Sequence, residues 1–292
     1  MYYVVYGIFY LLSLLPLRVL YLISDFAYFI IYHVAGYRKK VVFYNLSIAF
    51  PEKTEEERKQ IAKKFYKNFT DNFIETIKLI SAGKEFIRKH YTCDTKLFDE
   101  LYAQGKKSQV HLGHNFNWEL ANLAMAFYTP YTLLCVYMPI NNKTFDRLFK
   151  KIRSKTGSVL LPATQMRTAI LPWRDKQYLL ALVADQNPGI PSKGYWVNFF
   201  GKPTPFVTGP EKGAITNDAA VVFINFTKTR RGYYVAHPQL ATSEPRTLPE
   251  KELTKIYIQY LEKVIRANPE MWLWSHRRWK HEWKPEYGEV IA

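Results

Sequence analysis

The chain has 292 residues, enough to bury a substantial core as one large domain or one domain with an appendage. Its 41 Lys and Arg against 25 Asp and Glu give a formal charge of +16, which selects anionic partners: phospholipid headgroups, phosphorylated lipids, an acidic carrier protein or nucleic acid. Two isolated cysteines, Cys93 and Cys135, exclude a disulfide framework and a cysteine-held structural zinc, and they permit a reducing compartment.

Residues 1–37 carry side-chain charge only at Arg18 and Asp25, and are otherwise dominated by Leu, Ile, Val, Phe and Tyr. The uncharged stretch 1–17 approaches the ~20 residues that cross a bilayer core. A second apolar run, 19–37, contains Asp25 and His33, and Arg38-Lys39-Lys40 follows at once. By the positive-inside tendency this cluster places the remainder of the chain in the cytoplasm. The segment lacks a basic start and a small-residue cleavage site, so it does not read as a cleavable signal. Residues 1–40 are therefore expected to anchor the protein to a membrane, as one spanning helix or as a hairpin lying in the interface. A buried helix pair of a soluble protein is the competing reading. The 22 Tyr and 7 Trp suit an interfacial protein, since both side chains have an apolar body and a polar tip.

Across 52–67 the apolar residues Ile61, Ala62 and Phe65, continued by Phe69, recur at helical spacing, with a start marked by Pro51 and Thr54. A further helix is expected over 71–81, with Phe73, Ile74, Ile77 and Ile80 inward. From about residue 90 the pattern changes. Strand-like runs at 108–112, 131–137, 158–161, 178–184, 219–226 and 233–236 are interleaved with helical ones at 119–127, 144–155, 164–173 and 250–267. This alternation predicts an α/β fold with a mainly parallel central sheet flanked by helices, and 41–292 reads as one catalytic domain. Reactive groups in such sheets sit at the carboxyl ends of strands. Neither a nucleotide-binding glycine fingerprint nor an H-E-x-x-H zinc motif occurs.

The segment His111-Leu112-Gly113-His114-Asn115-Phe116-Asn117-Trp118-Glu119-Leu120 falls just after a predicted strand and at the opening of a predicted helix. A hydroxyl needs a base to attack a thioester near neutral pH, and histidine supplies one. A carboxylate on the other ring nitrogen would fix the tautomer and stabilise the imidazolium. His114 and Glu119, five positions apart, can meet only if the chain bends between them, because within a helix they would point about 140° apart. The plainer readings are a hydrogen-bonded structural histidine and a glutamate favoured by the helix dipole. His111, inside the strand-like run, reads as structural.

Here the chain resembles the lipid A biosynthesis acyltransferases, the late lauroyl and myristoyl transferases. Their pattern G-H-F-G-N-W-E stands here as Gly113-His114-Asn115-Phe116-Asn117-Trp118-Glu119, altered at the two positions after the histidine. The resemblance extends through Arg38, Asn45-Leu46 and Phe50-Pro51, through Ala184-Asp185-Gln186-Asn187, and to Trp272-Leu273-Trp274-Ser275-His276-Arg277-Arg278-Trp279-Lys280. It implies a glycerolipid-acyltransferase-like fold and a His114–Glu119 dyad in which Glu119 holds the imidazole. It further implies an acyl-carrier-protein thioester as donor, and as acceptor the hydroxyl of a 3-hydroxyacyl chain on a phosphorylated glycolipid. The implied place of work is the cytoplasmic face of the inner membrane, without metal or redox cofactor. By the same resemblance Arg153 and Asp185 match family positions and would contact substrate; Arg153 also reads as a solvated cation and Asp185 as a structural turn residue. The family's Tyr-Arg-Pro stands here as Tyr137-Met138-Pro139, so any phosphate contact made by that arginine is lost or moved. Two other functions fit less of the sequence: the same transfer onto another glycolipid or a pigment headgroup, and a basic membrane-bound scaffold without catalysis. The basic, Trp-rich tail also resembles some nucleic-acid surfaces, but interfacial anchoring or packing of the tryptophans explains it better, and no nucleic-acid partner is expected.

Overall fold

The computed structural model describes residues 1–291, so the predicted domain end at Ala292 lies outside them. Two apolar helices open the chain, α1 (Tyr2–Leu14) and α2 (Leu17–Tyr28), parted at Leu15-Pro16. A π-type segment, Phe29–Val34, prolongs α2, so Leu17–Val34 is an 18-residue helix of mean hydropathy 1.4, long and apolar enough to cross a bilayer by composition. It does not stand apart from the protein. The Ser24 hydroxyl donates to Asp71 Oδ1 at 2.8 Å, and Arg231 pairs with Asp25 at 2.7 Å. The opposite side presents Val19, Leu22, Phe26 and Phe29 outward, as α1 presents Val4, Ile8 and Leu11. Both helices thus lie along the folded domain with an apolar side exposed.

After α3 (Lys39–Ala49) comes α4 (Glu55–Lys78), whose start is a capping box between Thr54 and Glu57. The sequence predicts two helices over 52–81, but the structure has one of 24 residues. Lys67-Asn68-Phe69-Thr70-Asp71 holds no Pro or Gly, and Ile61, Phe65, Phe69 and Phe73 keep a four-residue spacing across the expected break.

Then follow α5 (Lys84–His90), β1 (Tyr91–Cys93), α6 (Lys96–Ala103), β2 (Lys107–Leu112), α7 (Trp118–Tyr128), β3 (Thr132–Tyr137), α8 (Lys143–Arg153) and β4 (Val159–Pro162). The helix expected over 164–173 is only α9 (Met166–Ala169) between two 3-10 turns, the second of which contains Pro172. Next are β5 (Tyr178–Val183), the hairpin β6 (Tyr195–Phe199) and β7 (Lys202–Phe206), α10 (Gly209–Asn217), β8 (Ala219–Arg230), β9 (Tyr233–Thr242), α11 (Glu252–Ala267) and β10 (Val290–Ile291).

Seven strands form one sheet in the order β1-β9-β8-β2-β5-β3-β4, parallel throughout except between β8 and β9. Continuous apolar runs such as Tyr178-Leu179-Leu180-Ala181-Leu182-Val183 suit strands covered on both faces. The mainly parallel sheet flanked by helices is therefore as the sequence predicts. A second sheet, β10-β6-β7, is not anticipated. Pro203 and Pro205 argue against a strand there, yet β7 is an edge strand, where proline is tolerated.

β2 and β5 are neighbours at the centre of the large sheet, with Leu112 opposite Val183, so the loops that follow them leave from the same rim.

Candidate active site

The loop after β2 turns sharply beneath α11. A Cβ at Gly113 would stand 2.7 Å from Leu261 Cδ1 and 2.9 Å from Asn115 Oδ1, so a larger residue here would force those side chains to shift. The Ala184 N–H donates to the Leu112 carbonyl at 3.0 Å, continuing the strand pairing to the edge of the loop and bringing Asp185 beside His114. His114 Nδ1 lies 2.5 Å from Asp185 Oδ1, and the His114 backbone N–H donates to Oδ2 at 2.7 Å. The Trp272 indole N–H also donates to Oδ2, at 2.6 Å.

Asp185 is 2% exposed. Burial pushes its carboxyl up, but the charge interaction with His114 and the hydrogen bonds from His114 and Trp272 outweigh it and hold the group down at about 2. A permanent carboxylate at Nδ1 keeps the proton on that nitrogen and leaves the Nε2 lone pair free. Nε2 lines the cavity, 3.2 Å from the Gln186 side-chain amide.

Glu119 does not bond His114. Its carboxylate, 3% exposed, accepts from Arg153 Nε at 2.9 and 3.1 Å and from Arg153 Nη2 at 2.5 Å. The structure therefore corrects the expectation that Glu119 holds the imidazole: Asp185 does so. The chain bends between 114 and 118 as that pairing requires. However, α7 starts at Trp118, and its first turn points Glu119 at α8, while Asp185 reaches His114 from the neighbouring strand end. Arg153 is correspondingly not a solvated cation. Burial disfavours its charge, but Glu119 more than compensates and holds the guanidinium cationic. Arg153 Nη1 makes no hydrogen bond among the described residues.

Around this centre lies a cavity of about 1360 Å³, larger than the ~300–1000 Å³ that accommodates an ordinary small ligand. Strand alternation shows that it reaches both faces of the sheet. Beneath α7 it is lined by Val110, Met125, Leu133, Cys135, Leu179 and Phe226, all buried. On the other face it is a groove floored by Leu180 and Leu182, between Met166 and Ile170 on one side and Gly213 and Thr216 of α10 on the other. The two arms join past the strand ends, where His114, Trp118 and Gln186 stand. Arg167, Lys193 and Lys212 also line it, none in an ion pair among the described residues.

Residues 1–281 match the model of a protein family described as bacterial lipid A biosynthesis acyltransferase. The chain belongs to this family. It is 22% identical over 248 residues to the lipid A biosynthesis palmitoleoyltransferase of Escherichia coli (strain K12), covering 83% of this chain and 79% of the relative. The same identity and coverage relate it to the lipid A biosynthesis acyltransferase of Shigella flexneri. It is thus an acyltransferase of lipid A biosynthesis.

In this acyltransferase Met138, where the sequence resemblance leads one to expect an arginine, lines the cavity and is 65% exposed. The C-terminal Trp-rich motif packs inward. Trp272 and Trp274 are 1% and 0% exposed, and Trp272 supports Asp185 directly. Arg278, fully buried, donates to Asn187 Oδ1 at 2.5 Å and to the Pro205 carbonyl at 2.9 Å, with its guanidinium 4.0 Å from the centre of the Phe206 ring. Burial lowers its proton affinity to about 9, which still leaves it cationic at neutral pH. His111 lies on the sheet face away from α7, 2.9 Å from the Gln109 amide, and burial drives it down to about 3, so it stays neutral near neutral pH. Sequence reasoning gave no role to Gln186 or to Asn117. The Asn117 Oδ1 caps α7 by accepting from the Glu119 and Leu120 N–H groups at 3.1 Å, and an Asn just before an apolar helical run is the signal that finds it.

Proposed function

We propose that this acyltransferase moves a fatty acyl chain from an acyl-carrier-protein thioester to the hydroxyl of a 3-hydroxyacyl chain on a phosphorylated lipid A precursor. We place it at the inner membrane with its catalytic domain on the cytoplasmic face. The observation that carries the reading is the His114–Asp185 pair at the junction of a buried apolar arm and a groove floored by Leu180 and Leu182 with basic side chains along it, since the reaction brings a fatty acyl donor and a charged lipid acceptor together at one base.

The acceptor hydroxyl takes the place of the Gln186 amide at His114 Nε2 and gives up its proton there as its oxygen attacks the thioester carbonyl. Asp185 keeps the Nδ1 proton and stabilises the imidazolium. When the tetrahedral intermediate collapses, the C–S bond breaks, the new ester forms, and the imidazolium returns the proton to the departing thiolate. Arg153, held by Glu119 at the cavity wall, offers Nη1 to negative charge on the substrate. Attachment to the membrane is supported by the outward apolar sides of α1 and α2 together with the +16 charge.

The test is transfer of a radiolabelled acyl chain from acyl carrier protein to a tetra-acylated lipid A precursor in detergent. His114→Ala and Asp185→Asn are expected to lower kcat by about 10²- to 10⁴-fold, the range of a lost general base. Wild-type rates in both would refute the assignment of the base. Met138 favours a second acceptor reading, the same chemistry on a glycolipid lacking the phosphate that the family's arginine would meet. Faster transfer to a dephosphorylated precursor would select it.

A further inference from the structure

Glu75 takes part in none of these steps, yet its carboxylate is one of the most closely held in the molecule. It lies on α4, 6% exposed, and accepts three hydrogen bonds from three separate elements. Tyr21 Oη of α2 donates to Oε1 at 2.9 Å. Tyr234 Oη of β9 and Asn117 Nδ2, just before α7, donate to Oε2 at 2.7 and 2.9 Å. No cation pairs with it among the described residues, and burial pushes its carboxyl up. A buried carboxylate without a counter-ion stabilises a fold poorly, and apolar residues would fill the space at less cost.

Its geometry fixes another side chain. With Nδ2 given to Glu75, Asn117 must turn Oδ1 towards α7, where it accepts from the N–H groups of Glu119 and Leu120. Glu119 in turn grips Arg153. An unbroken path of hydrogen bonds therefore leads from Tyr21, on a helix whose other side is apolar and exposed, to the Glu119–Arg153 pair.

We propose that Glu75 is a positioning residue for acyl transfer, orienting Asn117 so that α7 sets Glu119 and Arg153, and tying that placement to the seating of α2. The inference rests on the reading that the Glu119–Arg153 pair serves the transfer. It needs no contact between Glu75 and substrate.

The full chain in detergent is assayed for transfer to the lipid A precursor, and in parallel for hydrogen exchange at the start of α7. Glu75→Ala is expected to lower kcat/KM at least tenfold and to speed exchange of the Glu119 and Leu120 amides. Asn117→Asp alone sets two carboxylates face to face and should lose at least tenfold. Combined with Glu75→Gln, the amide nitrogen at position 75 donates to the new carboxylate, which still caps α7, and activity should return to within about threefold of wild type. Tyr21→Phe should lose a few-fold. A double variant no better than Asn117→Asp overturns the proposal even if Glu75→Ala fails to fold, and so does unchanged exchange at Glu119 and Leu120 in a folded Glu75→Ala protein. Wild-type kcat/KM in Tyr21→Phe overturns the link to α2. An inactive wild-type protein would count against the transfer reading instead, while the exchange measurement still decides whether Glu75 orders α7.

Discussion

His114 and Asp185 form one unit, Glu119 and Arg153 another, and the two should respond differently to substitution. Glu119→Gln and Arg153→Met each leave a buried charge without its partner, a loss of about 3–5 kcal/mol for a fully buried pair. The double variant should lose less than the sum of the two, read from denaturant unfolding as a coupling of at least ~1 kcal/mol. Asp185→Asn combined with Arg153→Met should be closer to additive. The place of His114 between a strand end and a helix start is legible from sequence because its signal is local: a strand, a glycine turn and a helix start within ten residues. The position of Asp185 just beyond a strand end is legible from the apolar run before it, but its pairing with the imidazole is not. That pairing spans 71 residues and exists because β5 lies beside β2, a neighbourhood no local spacing encodes. Glu119 was misassigned for the converse reason, since nearness in sequence favoured a pairing that the direction of α7 prevents.

Among the elements, α4 joins the amino-terminal helices to the part of the chain that carries the large sheet. Asn68, Asp71, Asn72 and Glu75 recur on it at three- and four-residue spacing and form a buried polar stripe. Asp71, 2% exposed, is paired with Arg231 at 2.6 Å and Lys228 at 3.2 Å. Arg231→Ala should destabilise the protein by roughly 1–3 kcal/mol, less than for a fully buried pair, because Arg231 is part-exposed and Lys228 remains. Lower thermal stability in detergent, with faster proteolysis between α2 and α3, would register it. Equal melting and cleavage would show that the ion pairs do not fasten α2. Hydropathy identified the apolar stretch but not its direction, because Asp25 and Arg231 meet across 206 residues. The hairpin β6–β7 was hidden for a chemical reason, prolines whose missing N–H groups matter little at a sheet edge.

The molecule as a whole should be acid-sensitive for an identifiable reason. Burial lowers His111 to about 3, and burial together with the nearby Arg278 lowers His276 to about 4, whereas an unfolded histidine titrates near 6.5. Folding thus favours their neutral forms, a stabilisation complete above pH 6.5 and lost progressively as the pH falls towards 4 and then 3. Asp185 acts in a lower window, contributing fully above about pH 4 and losing its share as the pH falls to about 2. The melting temperature in detergent should hold from pH 8 to 6.5 and then fall, and His276→Asn should flatten part of that fall. A constant melting temperature down to pH 4.5 would contradict the burial of these two rings.

One contact bears on how the protein is made. The Trp272 indole that braces Asp185 comes from a segment translated long after the strand it supports, 87 residues downstream, and the neighbouring Met271 carbonyl accepts from the Phe116 N–H, two residues beyond His114. A nascent chain can therefore form α1 and α2, and even pair β2 with β5, while Asp185 still lacks the indole that braces it. The His114–Asp185 pair is fully braced only near the close of synthesis, so a polypeptide arrested before Trp272 leaves Asp185 without that hydrogen bond.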